Sequence, residues 1–573
     1  MATVGIDLGT TFSAIAHLDE HGKPVTIPNS DGELTTPSVV LFDRNGEVVV
    51  GREARRVALS EPDRVAEDVK RYMGEPAYPK AIDGKKLTPP AISALILKKL
   101  KQDAERRIGP IDGAVITVPA YFDEGRRQAT VAAGQIAGLK VLDIINEPTS
   151  AALAYAYGIL SKSDKPDGGE RIVVVYDLGG GTFDVTALRI RGKELTVLAT
   201  AGDVRLGGRD WDERLFAHMA EQFQSHHGLD PRDDPMSRQA LMLQAEETKK
   251  ILSQRQQTRF VVTHAGKSLS GQITREQFDE MTADLLYRSE TRLDRVMEQA
   301  KLDWTKVDQV LATGGSTRMP QVQQMLQRIS GKAPDLSLSP DEAVAQGAAI
   351  YAAMFLAKAA AAPKPQPPPL PPLANLAPAN APPPPLPRPA ATNVPPPLAK
   401  AAAPAPPPAE AQPGSGRLIG QFADKVLNLL RTIKTTNVNA HSLGVVVHSD
   451  QGKERVSVLI PHNTAIPVSV TKRYGTIHEH QSTVTVRIVE GESRQPGECI
   501  PVGSCQIKLV NAKLPKGSPI DVTFSYDNSG RLNARAIEPS TGTWASALIE
   551  RRSGLDAGKI KLSQQDVAQT KVS

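Results

Sequence analysis

The sequence predicts an α/β half and an all-β half joined by a proline-rich tether, and three observations predict it. Apolar strand-like runs alternate with long amphipathic segments up to about residue 358. Prolines crowd the stretch that follows, and short alternating runs punctuated by turn residues fill the remainder. Length agrees: 573 residues exceed what one hydrophobic core supports, so at least two domains are expected.

Composition narrows the class. Hydrophobic content of 40% with 23% charged residues excludes a wholly disordered or fibrous chain. The balance of 68 basic to 63 acidic side chains, +5 in all, is too small to indicate nucleic acid. Two cysteines, Cys499 and Cys505, exclude a disulfide scaffold and any cysteine-rich metal site; two free thiols are the expectation, with one regulatory disulfide as the alternative. The longest uncharged apolar stretch, 343–357, is shorter than the ~20 residues a membrane-spanning helix needs. Val4-Gly5-Ile6-Asp7 reads as a strand where a secretory leader would be apolar and cleavable, so a soluble cytoplasmic protein without membrane contact is expected.

In the first half, Gly113-Ala-Val-Ile-Thr-Val118 and Ile172-Val-Val-Val-Tyr176 read as buried strands, and 237–254, 275–301 and 340–360 read as helices. Between Pro363 and Pro413, 22 of 51 residues are proline. Proline lacks the amide donor and fixes φ, so this segment cannot continue a helix or sheet and should be an extended spacer. Its Pro-x-x-Pro spacings are unavoidable at that composition, which favours a spacer over a docking site. Beyond it, Phe422, Val426, Leu429, Leu430 and Ile433 fall at helical spacing, consistent with a short amphipathic helix or an extended apolar strap. Val456–Ile460, Thr483–Ile488, Cys505–Val510 and Asp521–Tyr526 are short alternating strands, and Asp527-Asn-Ser-Gly530 is a hairpin turn. The expected units are 1–358, 359–416, 417–436, 437–552 and a tail, 553–573, with no long helix after the strands.

Two segments carry the same chemistry. Val4-Gly-Ile-Asp7-Leu-Gly9-Thr10-Thr11 and Val175-Tyr-Asp177-Leu-Gly179-Gly180-Gly181-Thr182 each run from a buried strand through an aspartate into a glycine turn and a hydroxyl residue. Glycines let backbone amides approach a phosphate, the hydroxyl adds a donor, and a strand-end aspartate can hold Mg²⁺ directly or through water. One such turn is a common hairpin. Two copies imply a duplicated, two-lobed fold that clasps a polyphosphate. A third pair, Gly314-Gly315-Ser316-Thr317-Arg318, follows the apolar run Gln309–Ala312 and opens a helix whose N-terminus suits a nucleotide. Glu246, Lys249 and Ser253 share one helix face; alone, that face reads as solvated surface.

These motifs, with Val118-Pro119-Ala120-Tyr121-Phe122, Ile145-Asn-Glu147-Pro-Thr149, Leu206-Gly207-Gly208, Ser442-Leu-Gly444, Leu459-Ile-Pro461 and Val489-Glu-Gly-Glu492, resemble the DnaK-type heat-shock chaperones, the Hsp70 family. The resemblance runs from Met1 to about Ala357 and resumes near Asn439. It implies an actin-like, sugar-kinase-like ATPase domain, a peptide-binding β-sandwich, ATP or ADP with Mg²⁺ as cofactors, and extended or unfolded polypeptide as partner, together with a J-domain co-chaperone and a nucleotide-exchange factor. Carried over residue by residue, it implies that Asp7 and Asp177 position Mg²⁺ and that Asp184 lies near the attacking water. Gly9, Thr10, Thr11, Gly179, Gly180, Gly181 and Thr182 would hold the β- and γ-phosphates, with Lys70 orienting the water and Glu147 completing the site. Glu246, Lys249 and Ser253 would clamp purine and ribose, with Gly207, Gly208, Gly314, Gly315, Ser316, Arg318 and Asp341 closing on the nucleotide. Pro119 and Arg127 would relay the nucleotide state. The peptide groove would be lined by Val445, Tyr474, Val484, Val486 and Ile520, with His448 and Ile477 where two side chains meet across it.

The sequence also departs from the family. Arg209 stands where a ribose-contacting glutamate is usual, the short acidic-apolar linker gives way to the tether and 422–433, and a helical lid is not expected from the roughly twenty residues after Arg552. Open, short-lived peptide binding and altered coupling between the domains are therefore expected. A nucleotide-gated scaffold for one fixed partner is the alternative, and a sugar kinase is disfavoured by the second half.

Overall fold

A computed structural model describes residues 2–162, 169–361, 424–448, 452–509, 514–527, 530–546, 548–549 and 557–573. The proline-rich segment expected as a tether lies outside them.

The first half contains two sheets built on one plan. In the first lobe, Ala2–Asp7 pairs antiparallel with Phe12–Leu18 and parallel with Ile111–Val118, which pairs in turn with Val141–Asn146. In the second lobe, Glu170–Leu178 pairs antiparallel with Phe183–Arg191 and parallel with Gln309–Thr313. The repeated pairing is the duplication that the twin glycine turns anticipate. Helices Glu147–Lys162 and Ala343–Ala361 pack between the lobes, and a side chain at Gly5 would sit 2.0 Å from the Ala349 amide nitrogen, so that strand position admits no Cβ. Each lobe buries its own apolar cluster, and a third surrounds the two central helices.

The segment left as helix or strap is both helix and strand. Asp424–Thr432 is helical and buries Leu429 and Leu430, with Ile433 after it, against the helix Ala343–Ala361. Lys434–Val438 then joins the second-lobe sheet, parallel to Glu194–Asp203, and pairs on its far side with Ala465–Ile466 of the second half. One sheet thus continues from the first half into the second.

The second half is a sandwich. One sheet orders Glu454–Ile460, Leu443–His448, Thr483–Glu490, Ile500–Lys508 and Leu548–Ile549; the other orders Val468–Gly475, Pro519–Tyr526, Leu532–Glu538 and Thr543–Ser546. Pro519–Tyr526 alternates half-buried and buried at every position, the period-two signature of a strand with one core face. The hairpin turn expected at 527–530 joins two paired strands, its two central residues lying outside the described set. Cys499 and Cys505 are both buried free thiols.

The tail differs from the sequence-based expectation. Ala557–Gln569 is a helix packed on Pro89–Ile108 and Glu124–Ile136 of the first lobe, where Ile560, Val567 and Val572 join the core. Lys98 Nζ caps its C-terminal end, donating to the carbonyls of Val567 (2.6 Å), Ala568 (3.1 Å) and Thr570 (2.7 Å). The chain then runs beside Val48–Val50, with the Val48 amide donating to Lys571 O and the Ser573 amide to Val48 O, each at 3.0 Å. With so few apolar residues the helix is held by this docking rather than by its own propensity.

Candidate nucleotide site

The two glycine turns meet across the cleft between the lobes. A Cβ on Gly180 would lie 1.9 Å from Thr11 Oγ1, and one on Gly181 would lie 2.5 Å from Thr10 Cγ2. Only glycine permits that approach, which presents both turns and their hydroxyls to one space. The space is a cavity of about 740 Å³. Asp7, Gly9, Thr10, Thr11, Lys70, Glu147, Asp177, Gly179, Gly180 and Thr182 line its deep end.

Charge at that end is concentrated. Lys70 and Glu147 are 6% exposed each and pair at 2.5 Å. Burial pushes the Glu147 carboxyl up to about 7 against the attraction of Lys70. Burial likewise raises Asp7, which accepts a hydrogen bond from Thr117 Oγ1 at 2.9 Å, and raises Asp177 well above the carboxylate range, with Glu147 and Asp184 adding repulsion. Burial works against the Lys70 ammonium too, but Glu147 and Asp7 outweigh it and keep it protonated. Several acids facing one ammonium want a further cation. Among the described residues no group of three acidic, histidine or cysteine side chains stands close enough to hold a metal unaided. That donor set fits Mg²⁺, which keeps most of its waters and is shared with phosphate oxygens.

Asp184 lies one strand behind, opposite Asp177 in register, 1% exposed, accepting from the Tyr121 amide at 3.0 Å. Burial and the Glu147 charge push it up to about 8. It is not on the cavity wall, and neither are Gly181, Gly207 and Gly208. The last two form the turn into helix Gly208–His227, where the Gly208 amide donates to Gly179 O at 2.9 Å and supports the second phosphate turn from behind.

The outer end of the cavity takes Glu246, Lys249 and Ser253 from helix Pro235–Gln254, and Gly314, Gly315, Ser316, Arg318 and Asp341 from the opposite wall. Burial acts against the Glu246 carboxylate, yet Arg55 and Lys250 hold it at about 2. Ser316 Oγ donates to Gly179 O at 2.9 Å, and Arg318 pairs with Asp341 at 2.6 Å. The helix face that alone reads as solvated surface is therefore a cavity wall. Sequence reasoning missed Asp212, which pairs with Lys249 at 2.8 Å, and Thr35, Gln254 and Gln323. No motif marks them, because they come from elements far apart in sequence.

In the sandwich, Val445, Val486 and Ile520 are buried in one apolar cluster, with Tyr474 and Val484 partly buried against it. Tyr474 donates to Ser457 Oγ at 3.1 Å. Ile477 is exposed and lies apart from that cluster, and His448 faces Glu454 at 3.6 Å.

The sandwich meets both lobes. The Glu124 amide donates to Glu490 Oε2 at 3.2 Å, and His441 Nε2 lies 3.1 Å from Tyr121 O, both on the first lobe. On the second, the Thr200 amide donates to Asn463 Oδ1 at 3.0 Å, and Asn463 Nδ2 donates to Gln299 Oε1 at 2.8 Å. Beside this face Arg127 donates to the carbonyls of Ala120 and Phe122, each at 3.1 Å, and to Asn146 Oδ1 at 2.7 Å, tying together two strand ends of the first lobe.

The model of the Hsp70 protein family matches residues 3–362 and 425–573, so the match resumes at the strap helix. The chaperone protein DnaK of Thermotoga neapolitana is 38% identical over 574 residues, which cover 98% of this chain and 82% of that protein. The DnaK proteins of Thermotoga petrophila and Thermotoga maritima are 38% identical over 573 residues, covering 98% of this chain and 83% of theirs. With both halves matched in one order around an ATP-sized cleft, the chain belongs to the Hsp70 family, as an ATP-hydrolysing chaperone that uses Mg²⁺ and binds unfolded polypeptide.

Proposed function

We propose that hydrolysis is centred on the Lys70–Glu147 pair where the two phosphate turns converge. The carrying observation is that this buried pair lies on the same cavity wall as Asp7, Asp177, Thr10, Thr11 and Thr182. Lys70 sets a water in line with the γ-phosphate, Glu147 fixes Lys70, and the turn amides and hydroxyls hold the β- and γ-phosphates. Asp7 and Asp177 would hold Mg²⁺, which would supply charge neutralisation to the transferring phosphoryl when bound. Asp184 supports this set from behind through the Tyr121 backbone. No covalent nucleophile is required, since positioning and charge stabilisation suffice for phosphoryl transfer to water. Glu246, Lys249 and Ser253 face the purine and ribose, with Gly314, Gly315, Ser316, Arg318 and Asp341 opposite. Lys70→Ala tests the assignment: ATP should still bind while single-turnover hydrolysis falls ~10²-fold, the scale of losing one positioned donor. Lost binding with intact turnover would overturn it.

Peptide is taken up by the sandwich at a groove framed by Val445, Tyr474, Val484, Val486 and Ile520, with Ile477 at its edge. The convergence of the first five on one cluster supports this, and Val484→Phe should weaken binding of a labelled leucine-rich peptide at least tenfold without unfolding the sandwich. A J-domain co-chaperone, a nucleotide-exchange factor and a cytoplasmic setting go with the same reading.

A further inference from the structure

Across the mouth of the cleft, two turns carry opposite charge patterns. In the first lobe, Asp68 and Arg71 flank Lys70 on the turn Val69–Tyr72. In the second, Arg209 and Asp210 open helix Gly208–His227. Arg209 Nε lies 3.2 Å from Asp68 Oδ2, and Arg71 Nη2 is 2.9 Å from both carboxylate oxygens of Asp210. Acid precedes base in one turn and base precedes acid in the other, and both pairs are present side by side. The usual glutamate at position 209 would face Asp68 with a like charge.

Both pairs are largely withheld from water, with side-chain exposures of 23% and 20% for Arg209 and Asp68 and 14% and 16% for Arg71 and Asp210. They are also rooted in the phosphate machinery. The Arg209 amide donates to Gly180 O at 2.8 Å, and Asp210 Oδ2 accepts from the Gly207 amide at 2.8 Å. Asp68 sits at φ +54°, a left-handed conformation that aspartate and asparagine tolerate best, and this directs the turn carrying Lys70 toward the second lobe.

We infer that Arg209 is a positioning residue: with Asp210 it clamps the Lys70 turn to the second phosphate turn, holding Lys70 in place and retaining bound ADP. The positioning of Lys70 rests on the role proposed for that residue; retention of ADP does not. Opening the cleft breaks both pairs, so loss of either shows in the dissociation rate of the nucleotide.

The test is a double-mutant cycle on the full chain, reading release of a fluorescent ADP with Mg²⁺ by stopped flow. Arg209→Gln and Asp68→Asn should each speed release ~5-fold, and the double variant should match either single rather than their product, as for residues that act as one unit. Arg209→Lys should restore release to within about twofold of the parent, which separates a lost charge from a misfolded turn. Single-turnover hydrolysis should fall in both single variants. Release within twofold of the parent in both single variants, or strictly multiplicative effects, would overturn the clamp. A Lys70→Ala chain that hydrolyses normally would remove the Lys70 role alone.

Discussion

Lys70 shows how a residue's neighbours along the chain can hide its work. Between Val69 and Arg71 it reads as a surface lysine, yet it is 6% exposed and bonded to Glu147, 77 positions away. Its burial comes from the packing of its turn on the first-lobe core and from a partner distant in sequence, which no local pattern encodes. The aspartates and glycine turns were legible because strand, acid and turn are contiguous. Glu147→Gln leaves the Lys70 ammonium buried without its charge partner and should cost about 3 kcal/mol, the range for breaking a buried pair. Urea denaturation of the nucleotide-free chain should show a lower midpoint at unchanged slope; an unmoved midpoint would mean that Asp7 and Asp177 alone satisfy the lysine.

At the level of elements, alternation and periodicity identified both halves and several of their longer strands, but did not mark one strand and led away from one helix. Lys434-Thr-Thr-Asn-Val438 carries no apolar alternation because its partners are edge strands of two different bodies. Ala557–Gln569 offers too narrow an apolar stripe to be read as a docked helix, and its core is supplied by the first lobe. Leu430 is 0% exposed on the inner face of the strap helix, so Leu430→Ala should cost about 3 kcal/mol of that contact, typical for a fully buried leucine. Amide exchange should then rise by roughly two orders of magnitude across Asp424–Val438, since these groups open together. Unchanged protection would show that the strand holds without the helix.

For the whole molecule, the interface between first lobe and sandwich contains two carboxyls. Glu124 is 3% and Glu490 5% exposed, and Arg127, His441, Asp123, Tyr526 and Asp527 stand around them. Burial, with repulsion between the pair, pushes Glu124 up to about 8; burial and Asp123 raise Glu490. Both return to the ordinary range on separation, so docking is linked to proton uptake. With the docked pKa above the free one, stability of the docked form is greatest below about pH 4.5 and is lost as pH rises through about 8. Energy transfer between dyes on the two bodies should therefore fall between about pH 5 and 8 in the parent chain. Glu490→Gln, which keeps the acceptor without the charge, should flatten that profile; a parent profile already flat would exclude the linkage.

The docked tail adds a mechanical consequence. The sandwich is grasped at its leading end by a strand of the second lobe and at its trailing end by a helix on the first. It is a splint across the cleft. Parting the lobes would strain or release one of these attachments, so ADP release should speed up when either is removed. While either end holds, the other stays within reach at roughly millimolar effective concentration. Ending the chain at residue 556 would turn the splint into a hinged flap.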